Sequence, residues 1–162
     1  MPMSSYLRRV RERVGHDLLV LPGVTGLVFD GAGDVLLVKH AAGGEWGAPG
    51  GAIEPDESPY DAVVREVREE TGLDVEPIAL RGVFGGPELR VNYPNGDETA
   101  YVTAIFECVI LGGALAADRV EVTEARFVAP GAMGSLPRTR WARALLPELV
   151  RERARTHLRA SK

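Results

Sequence analysis

Residues 49–73 read PGGAIEPDESPYDAVVREVREETGL and carry seven carboxylates in twenty-five positions. Like charges at helical neighbour spacing repel one another, so a fold that keeps this segment helical must put something positive among them. The helix itself is well marked. Ser58 is a good N-cap, Pro59 suits the first helical position, and Asp61, three residues after Ser58, makes an acidic variant of the capping box. Gly72 tolerates the left-handed conformation that ends a helix. With about 100° between successive residues, Glu70 lies about 40° from Glu66, and Glu69 lies about 60° from it on the other side. The three carboxylates therefore share one edge. Val63 and Val67 mark the stripe that packs on a sheet, flanked by Val64 and Tyr60, and the acidic edge beside that stripe should border a cleft.

Hard oxygen ligands grouped on a rigid element suit Mg²⁺ or Mn²⁺, which bind few carboxylates and complete their shell with water and substrate phosphate. Arg65 is permanently cationic and can fix a carboxylate bidentately. Glu57, just before the helix, and Glu69, four residues on, are its candidate partners. Gly50 and Gly51 let the backbone approach a metal or phosphate where no Cβ would fit. REVREE alone would suit an ordinary surface helix laced with ion pairs, and only the full string sets the segment apart.

That string resembles the signature of the Nudix family: a Gly, five residues, a Glu, seven residues, then Arg-Glu-aliphatic-any-Glu-Glu-any-Gly-aliphatic. Gly51, Glu57, Arg65, Glu66, Val67, Glu69, Glu70, Gly72 and Leu73 fill the nine fixed places. WGAPGG, leading into it, is similar to the tryptophan-to-PGG run of many members, with Ala48 where leucine is frequent. The resemblance covers roughly residues 17–137. It implies an α/β fold, a Nudix-like α/β/α sandwich with a central mixed β-sheet, and metal-dependent hydrolysis of a diphosphate linked to another moiety. By the same resemblance Glu66, Glu69 and Glu70 bind Mg²⁺ (or Mn²⁺), Gly50 lends its carbonyl, and Arg65 with Glu57 and Gly51 orients the ligands. Glu66 and Glu69 with Arg65 are then the catalytic residues of the segment.

A further acid outside the segment is expected as base or ligand. Asp97, Glu98, Glu121 and Glu124 are candidates, with Glu98 preferred by position. Trp46 and Tyr93 offer aromatic faces on which a nucleobase can stack, or else pack within the protein. The expected substrates are nucleoside diphosphate derivatives: ADP-ribose, dinucleoside polyphosphates or modified nucleoside triphosphates. Removal of pyrophosphate from RNA 5′ ends and a non-catalytic Nudix-fold module that senses a nucleotide without cleaving it are the alternatives.

The remainder of the chain is consistent with one domain over residues 1–162. Residues 4–14 read as a short amphipathic helix within an N-terminal segment, 1–16, and a helical tail covers 138–162. Runs at 18–21, 24–30 and 35–40 are β-rich, and DGAGD between the last two predicts a hairpin. Residues 75–86, 89–93, 101–111 and 120–129 are further strand candidates, and 41–51 reads as a glycine-rich loop. The single cysteine, Cys108, excludes an internal disulfide and suits a buried strand. A net charge of -4 argues against general nucleic-acid binding, although residues 138–162 carry eight basic and two acidic residues. The longest apolar run is broken by Gly112 and Gly113, so no membrane span is expected and the location expected is cytoplasmic. None of His16, His40 and His157 is assigned to metal, and the apolar face of the first helix could serve a homodimer.

Overall fold

The computed structural model describes residues 4–160, the last seven of these by backbone alone, so the His157 side chain and the extreme ends of the chain lie outside the described residues. Helix α1 (Ser5–Val14) begins at Ser4, whose Oγ accepts the Leu7 N–H at 3.1 Å. It is followed by β1 (Leu19–Val28), β2 (Val35–His40), β3 (Trp46–Gly47) and β4 (Gly50–Ala52). Helix α2 (Pro59–Thr71) then leads into β5 (Leu73–Phe84), β6 (Arg90–Asn92), β7 (Glu98–Gly113) and β8 (Val122–Val128), and α3 (Arg140–Ala144) and α4 (Leu146–Ala160) complete the chain. The mixed sheet expected from the sequence is present. Its strand order is β4-β1-β7-β5, with β6 also on β7, and only the β1–β7 pair is parallel.

A second, three-stranded sheet, β3-β2-β8, corrects the predicted β1–β2 hairpin. The turn is formed as expected: Asp30 Oδ1 accepts the backbone N–H of Ala32 and of Asp34, both at 2.9 Å. The strands nevertheless part after a single bridge, Phe29 to Val35. A strand has two hydrogen-bonding edges. Those of β1 are taken by β7 over its whole length and by β4 at Gly23, Val24 and Thr25, so β2 pairs with β3 and β8 instead. The short strand β3 and the first two residues of β4 fall inside the segment that reads as a glycine-rich loop.

Two apolar clusters hold the layers together. Val63 and Val67 of α2, both fully buried, meet Val24 and Val28 of β1, Val75 of β5 and Cys108 of β7 on one face of the main sheet. On the other face Leu27 and Ile105 pack with Leu37, Val35, Trp46 and the helix residues Ala142, Leu146 and Leu149. Cys108 is thus a core residue, as its setting in the sequence suggested, and burial pushes its thiol pKa up to about 12.

The helix that carries the acidic edge has the boundaries its sequence predicts. The Asp61 N–H donates to Ser58 Oγ at 3.1 Å, the Ser58 hydroxyl donates to Asp61 Oδ2 at 2.6 Å, and Gly72 ends the helix at φ 72°. Ser58→Ala should lower the unfolding free energy by about 1 kcal/mol, measurable by denaturant titration, without altering the spectroscopic signature of the folded state.

Candidate active site

The acidic edge of α2 is divided by its surroundings. Glu66 and Glu70 are 3% and 4% exposed, whereas the Glu69 side chain is 48% exposed. The two buried carboxylates meet successive residues of β4. Glu70 Oε2 accepts the Gly50 N–H at 3.0 Å. Glu66 Oε1 stands 2.5 Å from where a Cβ on Gly51 would be, so that any larger residue there would displace the carboxylate. A Cβ on Gly50 would lie 2.2 Å from the Val24 carbonyl oxygen, so both glycines are required by close approach.

Arg65 supplies the positive charge that the acidic segment demands. Its Nε donates to Glu57 Oε1 at 2.7 Å and its Nη2 to Glu57 Oε2 at 2.8 Å, a bidentate pair. Nη1 donates to Glu66 Oε1 at 2.8 Å and to Glu69 Oε2 at 3.3 Å, and Nη2 also reaches the Ala52 carbonyl at 3.1 Å. Both candidate partners, Glu57 and Glu69, are therefore engaged. The Arg65 hydrogen bond holds the Glu57 carboxyl below its ordinary pKa, and the Glu57 bond in turn raises that of Arg65. Burial raises the Glu66 pKa against the opposing bond from Arg65. Burial likewise pushes Glu70 up to about 8, opposed by the Gly50 bond and assisted by the charges of Glu66 and Asp118.

Among the described residues no group of three or more His, Cys, Asp and Glu side chains is gathered as an ion site. Of the three expected ligands, Glu66 and Glu70 are buried beside β4, while the Glu69 carboxylate is half-exposed with Oε2 3.3 Å from Arg65 Nη1. The pair fits a divalent cation on its own terms. Mg²⁺ is commonly held by one or two carboxylates plus substrate phosphate, and two desolvated carboxyls with raised pKa values are groups whose charged forms a cation would favour.

The other candidate residues lie elsewhere in the fold. Trp46 is 3% exposed within the core, and the guanidinium carbon of Arg126 lies 4.5 Å from its ring centroid, so it presents no open face to a base. Glu98 begins β7, where its carbonyl accepts Arg11 Nη2 at 2.8 Å. Gly51 aligns with Val24 and through it with Ala104, six residues further along β7, which puts Glu98 roughly 20 Å away at strand rise. Asp97 is occupied by His16 Nδ1 at 2.7 Å and by Asn95 Nδ2 at 2.9 Å, which fastens α1 to the β6–β7 turn. Glu124 pairs with Lys39 at 2.8 Å. Tyr93 is 38% exposed, with its hydroxyl 2.8 Å from that of Tyr101.

Asp118, an acid outside the segment and not among the four candidates, adds the smallest of the contributions that raise the Glu70 pKa. Its Oδ1 accepts the N–H groups of Val120, Glu121 and Val122 at 2.9, 3.1 and 3.0 Å. The loop reaches the end of α2 through Ala116 N–H, which donates to the Thr71 carbonyl at 2.9 Å. No local pattern marks Asp118, because it comes forty-eight residues after Glu70.

The description of a NUDIX domain matches residues 20–149. The chain belongs to the Nudix family. It is 33% identical over 111 residues to a MutT-like protein of Streptomyces ambofaciens, covering 68% of this chain and 65% of that one. It is 34% identical over 109 residues to a putative 8-oxo-dGTP diphosphatase of Bacillus subtilis (strain 168), covering 67% of this chain and 66% of the relative. The matches thus span just under two thirds of these relatives' own length. A crystal structure of an ADP-ribose pyrophosphatase from Streptococcus suis 89-1591 superposes with a TM-score of 0.66 at 26% identity, covering 83% of this chain and 92% of that one. The α/β sandwich of the family is the fold observed. No helix among the described residues is long and apolar enough to cross a membrane.

The raised Glu70 pKa sets a pH dependence for this Nudix domain. The folded chain holds the Glu70 proton more tightly than the unfolded chain does, so this group's contribution is complete below about 4.5 and is lost as pH rises to about 8. At about 1.4 kcal/mol per tenfold change in proton affinity, several kcal/mol are involved. Without added metal, Glu70→Gln should therefore raise Tm above pH 8 and leave it nearly unchanged below pH 4.5. Calorimetry across that range measures the difference.

Proposed function

We propose that the protein is a divalent-cation-dependent pyrophosphohydrolase of nucleoside diphosphate derivatives. The observation that carries this reading is the pair of buried carboxylates, Glu66 and Glu70, set against the Gly50–Gly51 backbone and braced by Arg65. Glu66 and Glu70 would hold the ion, as Mg²⁺ or Mn²⁺. When bound, it neutralises diphosphate oxygens and lowers the pKa of an attacking water.

The chain's own residues prepare that chemistry. Arg65 fixes the direction of Glu66 and keeps Glu69 beside it. Glu69, the most exposed of the three helix carboxylates, would accept the proton of the attacking water at a carboxylate oxygen. Glu57 holds Arg65 from the far side, so the guanidinium cannot follow Glu66 away from the helix. The names of the relatives support a substrate class of nucleotides carrying a diphosphate, which includes 8-oxo-dGTP and ADP-ribose.

The test is product release from a panel of ADP-ribose, dinucleoside polyphosphates, ordinary and oxidised nucleoside triphosphates and 5′-triphosphorylated RNA. Release should require Mg²⁺ or Mn²⁺ and stop with chelator. Arg65→Lys, which loses the bidentate geometry, should reduce kcat/KM by about 10- to 100-fold, and Glu66→Gln should reduce it further. Binding of a nucleotide without turnover under any metal would replace this reading with a sensing module.

A further inference from the structure

Helix α2 covers only part of the sheet face on which it packs. Its 13 residues span about 20 Å, whereas the 16 residues of β7 run for about 50 Å. Side chains alternate between the two faces of a strand. Cys108 of β7 and Val24 of β1 lie in the apolar cluster under the helix, so Ala100, Val102, Ala104 and Phe106 share that face further back along β7. Register adds Val20 and Pro22 of β1, aligned with Ala100 and Val102, and Val83 and Leu80 of β5, aligned with Ala104 and Phe106. On the reverse face of the same stretch Thr99, Thr103 and Ile105 are buried.

The uncovered area is apolar and open. Val20, Leu80, Val83 and Val102 are 68%, 57%, 62% and 44% exposed, and no charged side chain stands among these rows. Three strands wide and six residues long, the area covers roughly 300 Å². An exposed apolar patch of that size marks a contact surface. Flat rows of Val and Ala side chains suit the face of another sheet, which packs about 10 Å away. With a polar rim around it, such a core matches the contact of about 800 Å² per partner that holds a stable pair.

The relief of the face decides how two copies fit. Glu70 lies beside Gly50 and Arg65 reaches the Ala52 carbonyl, and these strand residues align with Thr25 and Gly23. The N-terminus of α2 therefore points along β1 toward the patch. A helix about 10 Å thick fills the whole gap between packed sheets, so each α2 has to lie past the end of the other copy's sheet. A two-fold axis running across the strands satisfies this and turns the start of α2 in one copy toward β6 in the other. Those ends carry opposite charges. Asp56 and Asp61 are exposed at the start of α2. Arg90 of β6, aligned with Ala100 on the same face, is exposed and has no ion pair among the described residues.

We propose that this face is the interface of a homodimer, in which the exposed rows of β1, β7 and β5 pack against those of a second copy and Arg90 of each faces Asp56 and Asp61 of the other. Sedimentation equilibrium on the full chain tests it. The wild type should sediment at twice the mass of one chain in the micromolar range. Val20→Lys and Val83→Lys should each raise the dissociation constant about tenfold or more, because each puts an unpaired charge between the two faces. Arg90→Glu should raise it less, and added salt should narrow its difference from the wild type. Each variant should keep the wild-type circular dichroism, and Arg90→Glu, at an edge position, carries the test if a lysine variant fails to fold.

A wild type that stays monomeric throughout that range would overturn the proposal. So would a dimer that withstands all three substitutions, and its loss on Tyr6→Lys would move the contact to α1. A monomer that binds phosphatidylcholine vesicles through the same valines would also overturn it, assigning the patch to a lipid surface. None of the substituted residues belongs to the proposed active site, so nucleotide turnover tests that reading separately.

Discussion

The guanidinium of Arg65 is the interaction on which the arrangement of the acidic helix depends. Four acceptors from three parts of the chain converge on it: Glu57 before α2, Glu66 and Glu69 on α2, and the Ala52 carbonyl at the end of β4. Without that cation, the like charges at neighbouring positions of α2 would lose the hydrogen-bonded guanidinium that lies among them. With it, both oxygens of Glu57 and one each of Glu66 and Glu69 are anchored, and the edge strand β4 is tied to the helix. The bidentate grip on Glu57 uses the planar fork that only arginine offers.

Arg65 does not reach Glu70, and this asymmetry gives the site its character. Glu70 is desolvated and accepts a neutral hydrogen bond from Gly50, and burial disfavours its charged form in the folded chain. A buried carboxyl left this way lowers stability near neutral pH. The glycines make the arrangement possible, since a side chain at Gly51 would occupy the place of the Glu66 carboxylate.

Some of the architecture is readable in the sequence because it is written in short-range chemistry. The boundaries of α2 follow from Ser58, Pro59 and Gly72, each acting on neighbours within a turn. The strand character of residues 35–40 and 101–111 follows from apolar, β-branched composition. The strand partners are less legible. The hairpin expected at DGAGD has its turn, yet β2 belongs to another sheet because β7, about seventy residues later, and β4 occupy the edges of β1. The outer acids behave similarly: position in the chain favours Glu98, and register places it far along β7 from the glycines.

What the sequence determined by itself is the content of one helix and its flanks: which residues are acidic, which lie on one edge, where the helix starts and stops, and that an arginine accompanies them. These properties depend on helical periodicity and capping, which act over a few residues. Tertiary structure decided which carboxylates are buried, that Glu69 turns to Arg65 and that Trp46 is core. Burial and long-range proximity depend on how strands share edges and layers share faces, and no local window of the chain contains that information.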